Sequence, residues 1–355
     1  MKTALLLIMM LSNEGHWLSG AEGRVSVLWT AKSAAVPSEL IWELKLGDTR
    51  LDGARVAIGP NDSPVVKIIC PEVRAKVSLQ WNWRLVQKQD GREIEKGSEK
   101  ITAYPATLTG AWAELLKDKR IIVIDRPAGI PALLQLAKIK FTRLDDPAKL
   151  QTAVADIILV GPDVFQAKLF EQDSLQAHLS AGTAVAVFRQ MHSKTLLGMD
   201  LIPRSLPDKF EWPTDEPVLR GLDSETLLSW ERGWSRDPMK KEVRSLRVPE
   251  NELTTAVVNW PTRHQDAGVD LLKKPNMAVD SLLVSRSGGK GGPGRLVLCQ
   301  MPIDDWMTDP RSQIFFGNLL DVLISPAAPP PVRAPLPPAA LRPRSTITIS
   351  PGDSQ

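Results

Sequence analysis

Two polar clusters in the second half of the chain follow directly on short apolar runs. Arg189, Gln190 and His192 come after the run ending at Phe188, and Gln300, Asp304, Asp305 and Trp306 come after the run ending at Cys299. If both runs are parallel strands, both clusters stand at the carboxyl edge of one sheet, where open α/β sheets hold their ligands. Trp230 and Trp234 fall in the irregular stretch between them, at a place in the chain that could cover this edge. Indole rings beside amide, guanidinium and carboxylate groups suit a carbohydrate: the rings stack on apolar sugar faces while the polar groups bond hydroxyls. These residues form the candidate ligand-binding set.

The same sequence offers little for breaking bonds. A thiol nucleophile needs a Cys on a sharp strand-to-helix turn, flanked by amides that can form an oxyanion hole. The turns Asp125-Arg126-Pro127 and Val160-Gly161-Pro162-Asp163 hold neither Cys nor Ser, and Pro162 has no amide hydrogen. Cys70 and Cys299 sit in or at the end of strand-like runs and read as buried free thiols. His178, His192 and His264 accompany no nucleophile and have no metal-ligand spacing, so no metal and no cofactor are expected. The glycine-rich stretch 288–294 lacks Walker spacing and leads into a strand, which makes it a flexible turn rather than a phosphate cradle. Glu211, Asp223, Glu225 and Glu231 could supply a glycosidase acid pair, but separation in space is the signature of that chemistry and nothing in the sequence selects two of them. The expectation is binding without catalysis. The alternative is a carboxylate-dependent glycoside hydrolase, or an accessory subunit of one.

The elements that must position these groups fall into two textures. Residues 24–105 hold short runs without helical period: Val25–Trp29, Leu40–Leu46, Arg55–Ile58, Val65–Ile69 and the strictly alternating Val77–Leu85. Asp90-Gly91 marks a hairpin turn after that last run. This pattern predicts an immunoglobulin-like β-sandwich. Eleven Trp beside a single Tyr are mostly expected to pack such cores. Residues 111–325 alternate strand and helix: Arg120–Asp125, a helix from Pro131, Lys140–Leu144, Asp146-Pro147 as a capped start, Asp156–Val160, a helix over 163–180, Thr183–Phe188, then Arg295–Cys299 and a helix opened by Asp309-Pro310. That order predicts an α/β fold with a parallel, flavodoxin-like sheet covered on both faces. The prolines between 203 and 275 argue against long helices there, and Thr254–Trp260 and Ser281–Val284 read as extra strands that extend the sheet. Residues 326–355 are Pro- and Ala-rich and read as a disordered tail.

At the N-terminus, Lys2, the apolar run Ala4–Leu11 and the small residues Ser19-Gly20-Ala21 match a signal peptide over 1–21, and so a secreted or periplasmic protein. No later run is long enough for a membrane span. The 44 Lys and Arg nearly balance 41 Asp and Glu, and the excess is scattered, which excludes a nucleic-acid partner built on a concentrated basic patch.

Three pieces stand in an order that resembles a known arrangement. They are the β segment with Pro71-Glu72-Val73-Arg74, Trp81, Trp83 and Tyr104-Pro105; the core with Asp156-Ile157-Ile158-Leu159-Val160-Gly161; and Pro217 to Leu222 with Leu228-Ser229-Trp230, followed by Gly294 to Gln300 and the Asp309-Pro310 helix. Together they are similar to the region beyond the catalytic barrel in large bacterial glycoside hydrolases of the family 2 and β-galactosidase kind. There an immunoglobulin-like sandwich precedes a domain similar to class I glutamine amidotransferases. The chain contains no eight-stranded barrel pattern, so the paired glutamates of that family do not carry over. The resemblance implies a partner that is a glycan or a glycan-degrading protein, with self-association also open.

Overall fold

Period-two alternation of apolar residues decides which side chains enter each core. The computed structural model describes residues 7–29, 37–59, 62, 64–106, 108–126, 129–165, 172–205, 212, 216–223, 227, 242–249, 278–287, 293–301, 303 and 305–325. The N-terminal part is a two-sheet sandwich. One sheet has the order β1-β3-β6, from Leu7–Leu11, Glu22–Trp29 and Val65–Ile69. The other has the order β2-β8-β7-β4-β5, from His16–Leu18, Glu93–Tyr104, Val77–Gln87, Ser38–Leu46 and Thr49–Ile58. Strand β7 sends Leu79, Trp81, Trp83 and Leu85 inward, where they meet Leu40, Trp42 and Leu44 of β4 and Val25, Val27, Val66 and Ile68 of the facing sheet. Each such burial contributes about 1.5–3 kcal/mol. The Asp90-Gly91 turn closes the β7–β8 hairpin, with Gly91 at φ +70° and the Arg92 amide bonded to Asp90 Oδ1 at 3.0 Å.

The segment expected to be a removable leader is part of this sandwich. Strand β1 pairs antiparallel with β3 along its whole length, and β2 runs parallel to the end of β8. Trp17 is 2% exposed, donates its indole N–H to the Ser12 carbonyl at 2.8 Å, and lies so close on Gly23 that any Cβ there would collide with its ring. The Ser19 hydroxyl accepts from the Val73 amide at 2.7 Å. The small residues at 19–21 make a tight turn between β2 and β3, and the described sandwich runs from Leu7 to Tyr104 rather than from 24 to 105.

The second part is built on a six-stranded sheet of order β10-β9-β11-β12-β18-β17. Its strands are Thr142–Arg143, Ile121–Ile124, Ile157–Val160, Ala184–Val187, Arg295–Cys299 and Leu283–Ser287. The first five are parallel and β17 is an antiparallel edge. Alternation divides the sheet between two cores. Ile121, Val123, Ile157, Leu159, Ala186, Phe188, Val297 and Cys299 face helices α1 (Trp112–Leu115), α2 (Gly129–Leu136) and α4 (Pro310–Ile324). Ile122, Ile158, Val160, Val185, Val187 and Leu298 face α3 (Gln172–Ser180) and Leu150. Runs apolar on both parities are what a sheet covered on both faces requires.

Two sequence expectations shift. Residues 162–165 form a turn where the sequence pattern opens a helix, and the helix described after them is α3, Gln172–Ser180. The 281–284 run divides at Leu282: β17 extends the parallel sheet. By contrast, β16 (Ala278–Ser281) closes a separate antiparallel sheet with β13 (Thr195–Leu196), β14 (Met199–Ser205) and β15 (Glu242–Pro249). Thr254–Trp260 and the tail 326–355 lie outside the described residues. Asp309 caps α4 by accepting the Arg311 amide at 2.8 Å, with Pro310 at the first helical position, as the sequence indicates. The Arg311 guanidinium folds back onto Asp309 at 2.7 Å, both groups buried. This ion pair stands beside His16 and Tyr104 of the sandwich, which hydrogen-bond each other at 3.0 Å.

Candidate functional site

The carboxyl edge of the parallel sheet does gather the residues that the sequence sends there, but uses several of them as structure. Gln190, 1% exposed, accepts the Phe165 amide at 3.0 Å and donates to the Gly161 carbonyl at 2.9 Å and the Phe188 carbonyl at 2.6 Å. Its own amide donates to Gln300 Oε1 at 3.1 Å. These bonds tie the loops after β11, β12 and β18 into one lock. Gln190 therefore spends both side-chain donors inside the fold and is buried away from a ligand, and Gln300, equally buried, keeps an Nε2 without a protein partner among the described residues. Trp306 also departs from its expected role. It is 2% exposed and packs edge-on against Phe188 and Phe316, with ring centroids 4.9 and 5.4 Å away, so no sugar can stack on it. Asp305 is exposed and accepts the Thr308 hydroxyl at 2.8 Å. His192 is exposed and Arg189 is half-buried. Trp230, Trp234 and Asp304 lie outside the described residues, as do Glu211, Glu225, Glu231 and His264.

One group that the candidate set omits stands at the point where the strand order reverses, between β9 and β11. Asp125, at the end of β9, is buried; its Oδ2 accepts the Ile130 amide at 2.8 Å at the start of α2. Burial pushes its carboxyl above the ordinary range, opposed by the backbone bonds of Ile130 and Gly129 and by the Arg143 charge. Its Oδ1 has no hydrogen-bond partner among the described residues and presses on Gly161, where a Cβ would stand 2.2 Å away. A carboxylate at a helix N-terminus is a capping group, and that is the part Asp125 plays. The signal for it was legible: an acid directly after a buried strand, opposite a glycine.

The thiols are placed as expected. Cys299 is in β18, buried, its pKa pushed up to about 12 by burial, and Cys70 is pushed up to about 11 by the same cause. Burial of this kind disfavours the thiolate, the form that attacks or ligates. His178 donates to the Leu150 carbonyl at 2.8 Å. In the glycine-rich stretch, Gly294 serves close approach: a Cβ there would stand 2.4 Å from the Thr183 carbonyl oxygen and 2.5 Å from that of Leu179.

A different surface keeps its polar groups on solvent-facing positions, bonded to one another: Asn82 donates to Glu43 at 3.5 Å and Gln80 to the Ser98 hydroxyl at 2.9 Å. The five-stranded sheet of the sandwich is open on its outer face, and a groove of about 780 Å³ crosses β5, β4, β7 and β8 there. Register assigns its walls. Arg55, Ile41, Arg84 and Lys96 are successive cross-strand partners in one row, and Gly53, Glu43, Asn82 and Ser98 in the other. The backbone of the intervening row, Ala54, Trp42, Trp83 and Gly97, forms the floor. Gly53 lets the Arg50 guanidinium lie across the sheet, since a Cβ would meet its Nη2 at 2.6 Å. Arg55 pairs with Glu39 and Lys96 with Glu93, each at 3.3 Å and largely exposed. Arg84 is exposed and has no ion-pair partner among the described residues. The Lys45 ammonium, bonded at 2.6 Å, holds the Glu43 carboxyl below its usual range. Sequence reading marks these as outward positions of alternating strands, but only the register aligns them.

No protein family and no curated protein matches the chain. Among solved structures it is similar to the CARDB domain of a Pyrococcus furiosus protein, crystallised with two metal ions, over 28% of this chain and 88% of that one, at 10% identity and TM-score 0.21. A solution structure of the same domain is similar at 11% identity and TM-score 0.21, over 28% of this chain and 94% of that one. A family 76 glycoside hydrolase from a bovine Bacteroides thetaiotaomicron strain is similar at 7% identity and TM-score 0.23, over 36% of this chain and 24% of that one. Scores this low carry no argument about function.

Proposed function

We propose that this chain is a non-catalytic binding protein linked to carbohydrate recognition, a sandwich joined to a flavodoxin-like, class I amidotransferase-like domain. One observation carries the reading: at the carboxyl edge, Gln190 is spent on Gln300 and on the backbone of the neighbouring loops, and neither thiol of the chain stands at a strand-to-helix turn among the described residues. The parallel strands, numbered among themselves along the chain, lie in the order 2-1-3-4-5, which supports the flavodoxin-like assignment. The carbohydrate link rests on the similarity in segment order to the region beyond the barrel of family 2 glycoside hydrolases. The hydroxyl-binding groups of the sandwich groove add to it. Export through a leader over residues 1–21 stays part of the proposal and is tested by N-terminal sequencing of the protein from its host, where a start near Glu22 supports it and a start at Met1 overturns it.

The test is paired. Full-length protein is assayed for turnover of aryl glycosides, oligosaccharides and glutamine, and in parallel for binding on a glycan array. Binding without turnover is the expected result. A turnover that a single substitution at the carboxyl edge abolishes overturns the reading, and so does an array without any hit.

A further inference from the structure

We propose that the outer groove of the sandwich binds an acidic polysaccharide, a chain whose successive rings carry carboxylates. The inference rests on the binding reading above and assigns it a place and a ligand class. Row one sets Lys96, Arg84 and Arg55 in register across the sheet, with Ile41 between the two arginines. Neighbouring strands lie about 4.8 Å apart, so the cations repeat at one and two strand spacings, comparable with the repeat of carboxylates along a uronate chain. Arginine forks match carboxylates with two parallel hydrogen bonds. Ile41 offers an apolar patch for a ring face. Row two places Glu43, Asn82 and Ser98 directly beside the cations; they bond Lys45, Glu43 and Gln80 at the surface, and the Ser98 hydroxyl hydrogen and the second Asn82 amide hydrogen remain for ring hydroxyls.

Two features set this surface apart from an ordinary solvated sheet face. Arg84 and Lys96 are directly opposite each other on β7 and β8, an arrangement of like charges that destabilises a sheet and that a bound anion relieves. The competing ion pairs, Arg55 with Glu39 and Lys96 with Glu93, are exposed, and such pairs are weak, so a ligand carboxylate can displace them. The two rows contain no aromatic side chain to stack a nucleobase. That favours a glycan over a single-stranded nucleic acid.

The experiment uses the full chain in affinity electrophoresis and titration calorimetry against polygalacturonate, with dextran, chondroitin sulfate, polyphosphate and single-stranded DNA as comparators. Polygalacturonate is expected to bind, more weakly as salt rises, and dextran not to bind. The double variant Arg84→Ala/Lys96→Ala is expected to lose about tenfold or more in affinity with an unchanged melting temperature. Unchanged polygalacturonate affinity in that variant overturns the site. Polyphosphate or DNA binding as tightly overturns the ligand class, as does binding of chondroitin sulfate alone. A neutral glycan bound equally by the variant and the parent sinks this inference and leaves the proposed function standing. Glycoside turnover with groove binding intact does the reverse.

Discussion

The six-stranded and the five-stranded sheets of this molecule treat their polar residues in opposite ways. In the parallel sheet both faces are covered, and the polar side chains at its carboxyl edge bond backbone groups of neighbouring loops, as Gln190 and Asp125 do. In the five-stranded sheet of the sandwich only one face is covered, and the other presents Arg84, Lys96, Asn82 and Ser98 to solvent. The difference teaches where binding capacity can reside. A buried polar group must be satisfied within the fold, so a strand end closed by such bonds has little left for a ligand. An open antiparallel face carries no such demand.

If the contrast is right, changes at the edge of the parallel sheet act on stability and changes in the groove act on binding. The largest effect is expected from removing residues 1–20. That deletion takes away β1, β2 and Trp17, and loss of a buried Trp alone costs about 3–5 kcal/mol. The truncated chain should lose cooperative unfolding of the sandwich by circular dichroism. A truncated chain as stable as the parent would mean that this segment is dispensable. Gln190→Ala comes next: it strands the Phe165 amide and the carbonyls of Gly161 and Phe188 and should cost about 2–4 kcal/mol, measured by urea denaturation. Polysaccharide affinity of the folded fraction should not change. A variant equally stable but altered in binding would place the ligand at the edge after all.

A smaller effect follows from the contact between the two parts. Burial, reinforced by Arg311 and Lys76 and opposed by Asp309 and Asp223, lowers the His16 pKa from 6.5 to about 4. His16 is therefore neutral in the fold, while in the unfolded chain it takes up a proton below pH 6.5. Between about 4 and 6.5 the unfolded state binds more protons, so stability is full above this window and declines as pH falls through it. With allowance for partial exposure the decline is about 1–2 kcal/mol. Melting curves of the parent at pH 7.5 and pH 5 should differ by more than those of His16→Gln. Equal differences would show that His16 carries no linkage.

Much of this architecture was legible in the sequence, for identifiable reasons. Runs such as Ile121–Ile124 and Ile157–Val160 are short, rich in β-branched residues and bounded by polar or turn residues, which marks strands covered on both faces, and the alternation of Val77–Leu85 marks a half-covered one. Asp309-Pro310 and Asp146-Pro147 announced helix starts, and both acids cap as expected, the second on a 3₁₀ turn. At the N-terminus an apolar run followed by small residues describes a leader and equally a strand followed by a tight turn, and hydropathy does not separate the two. The pairing of β1 with β3 came only from the structure. Trp306 misled because a Trp in a polar loop looks available, and the ring's path back between Phe188 and Phe316 depends on Gly129 having no side chain. The groove stayed hidden because it is made by register: Arg55, Arg84 and Lys96 are far apart in the chain and meet only when three hairpin registers are known.

The smallest effect on stability is the sharpest test of the contrast. Arg84 is exposed on the outer face, with Ile41 on one side and Lys96 on the other. Surface substitutions away from caps, cores and networks change stability by about 0.5 kcal/mol or less, and here relief of the facing Lys96 charge offsets the lost packing of the arginine stem. Arg84→Ala should therefore leave the urea midpoint within that range, or raise it slightly, while weakening polygalacturonate binding and flattening its salt dependence, since one fewer cation takes part in neutralising the chain. Arg84→Lys, which keeps the charge and loses the planar fork, should keep the salt slope and lose part of the affinity. Should the alanine variant instead unfold early with binding intact, the arginine would be a structural member of the sheet and the open face would be no different in kind from the locked edge.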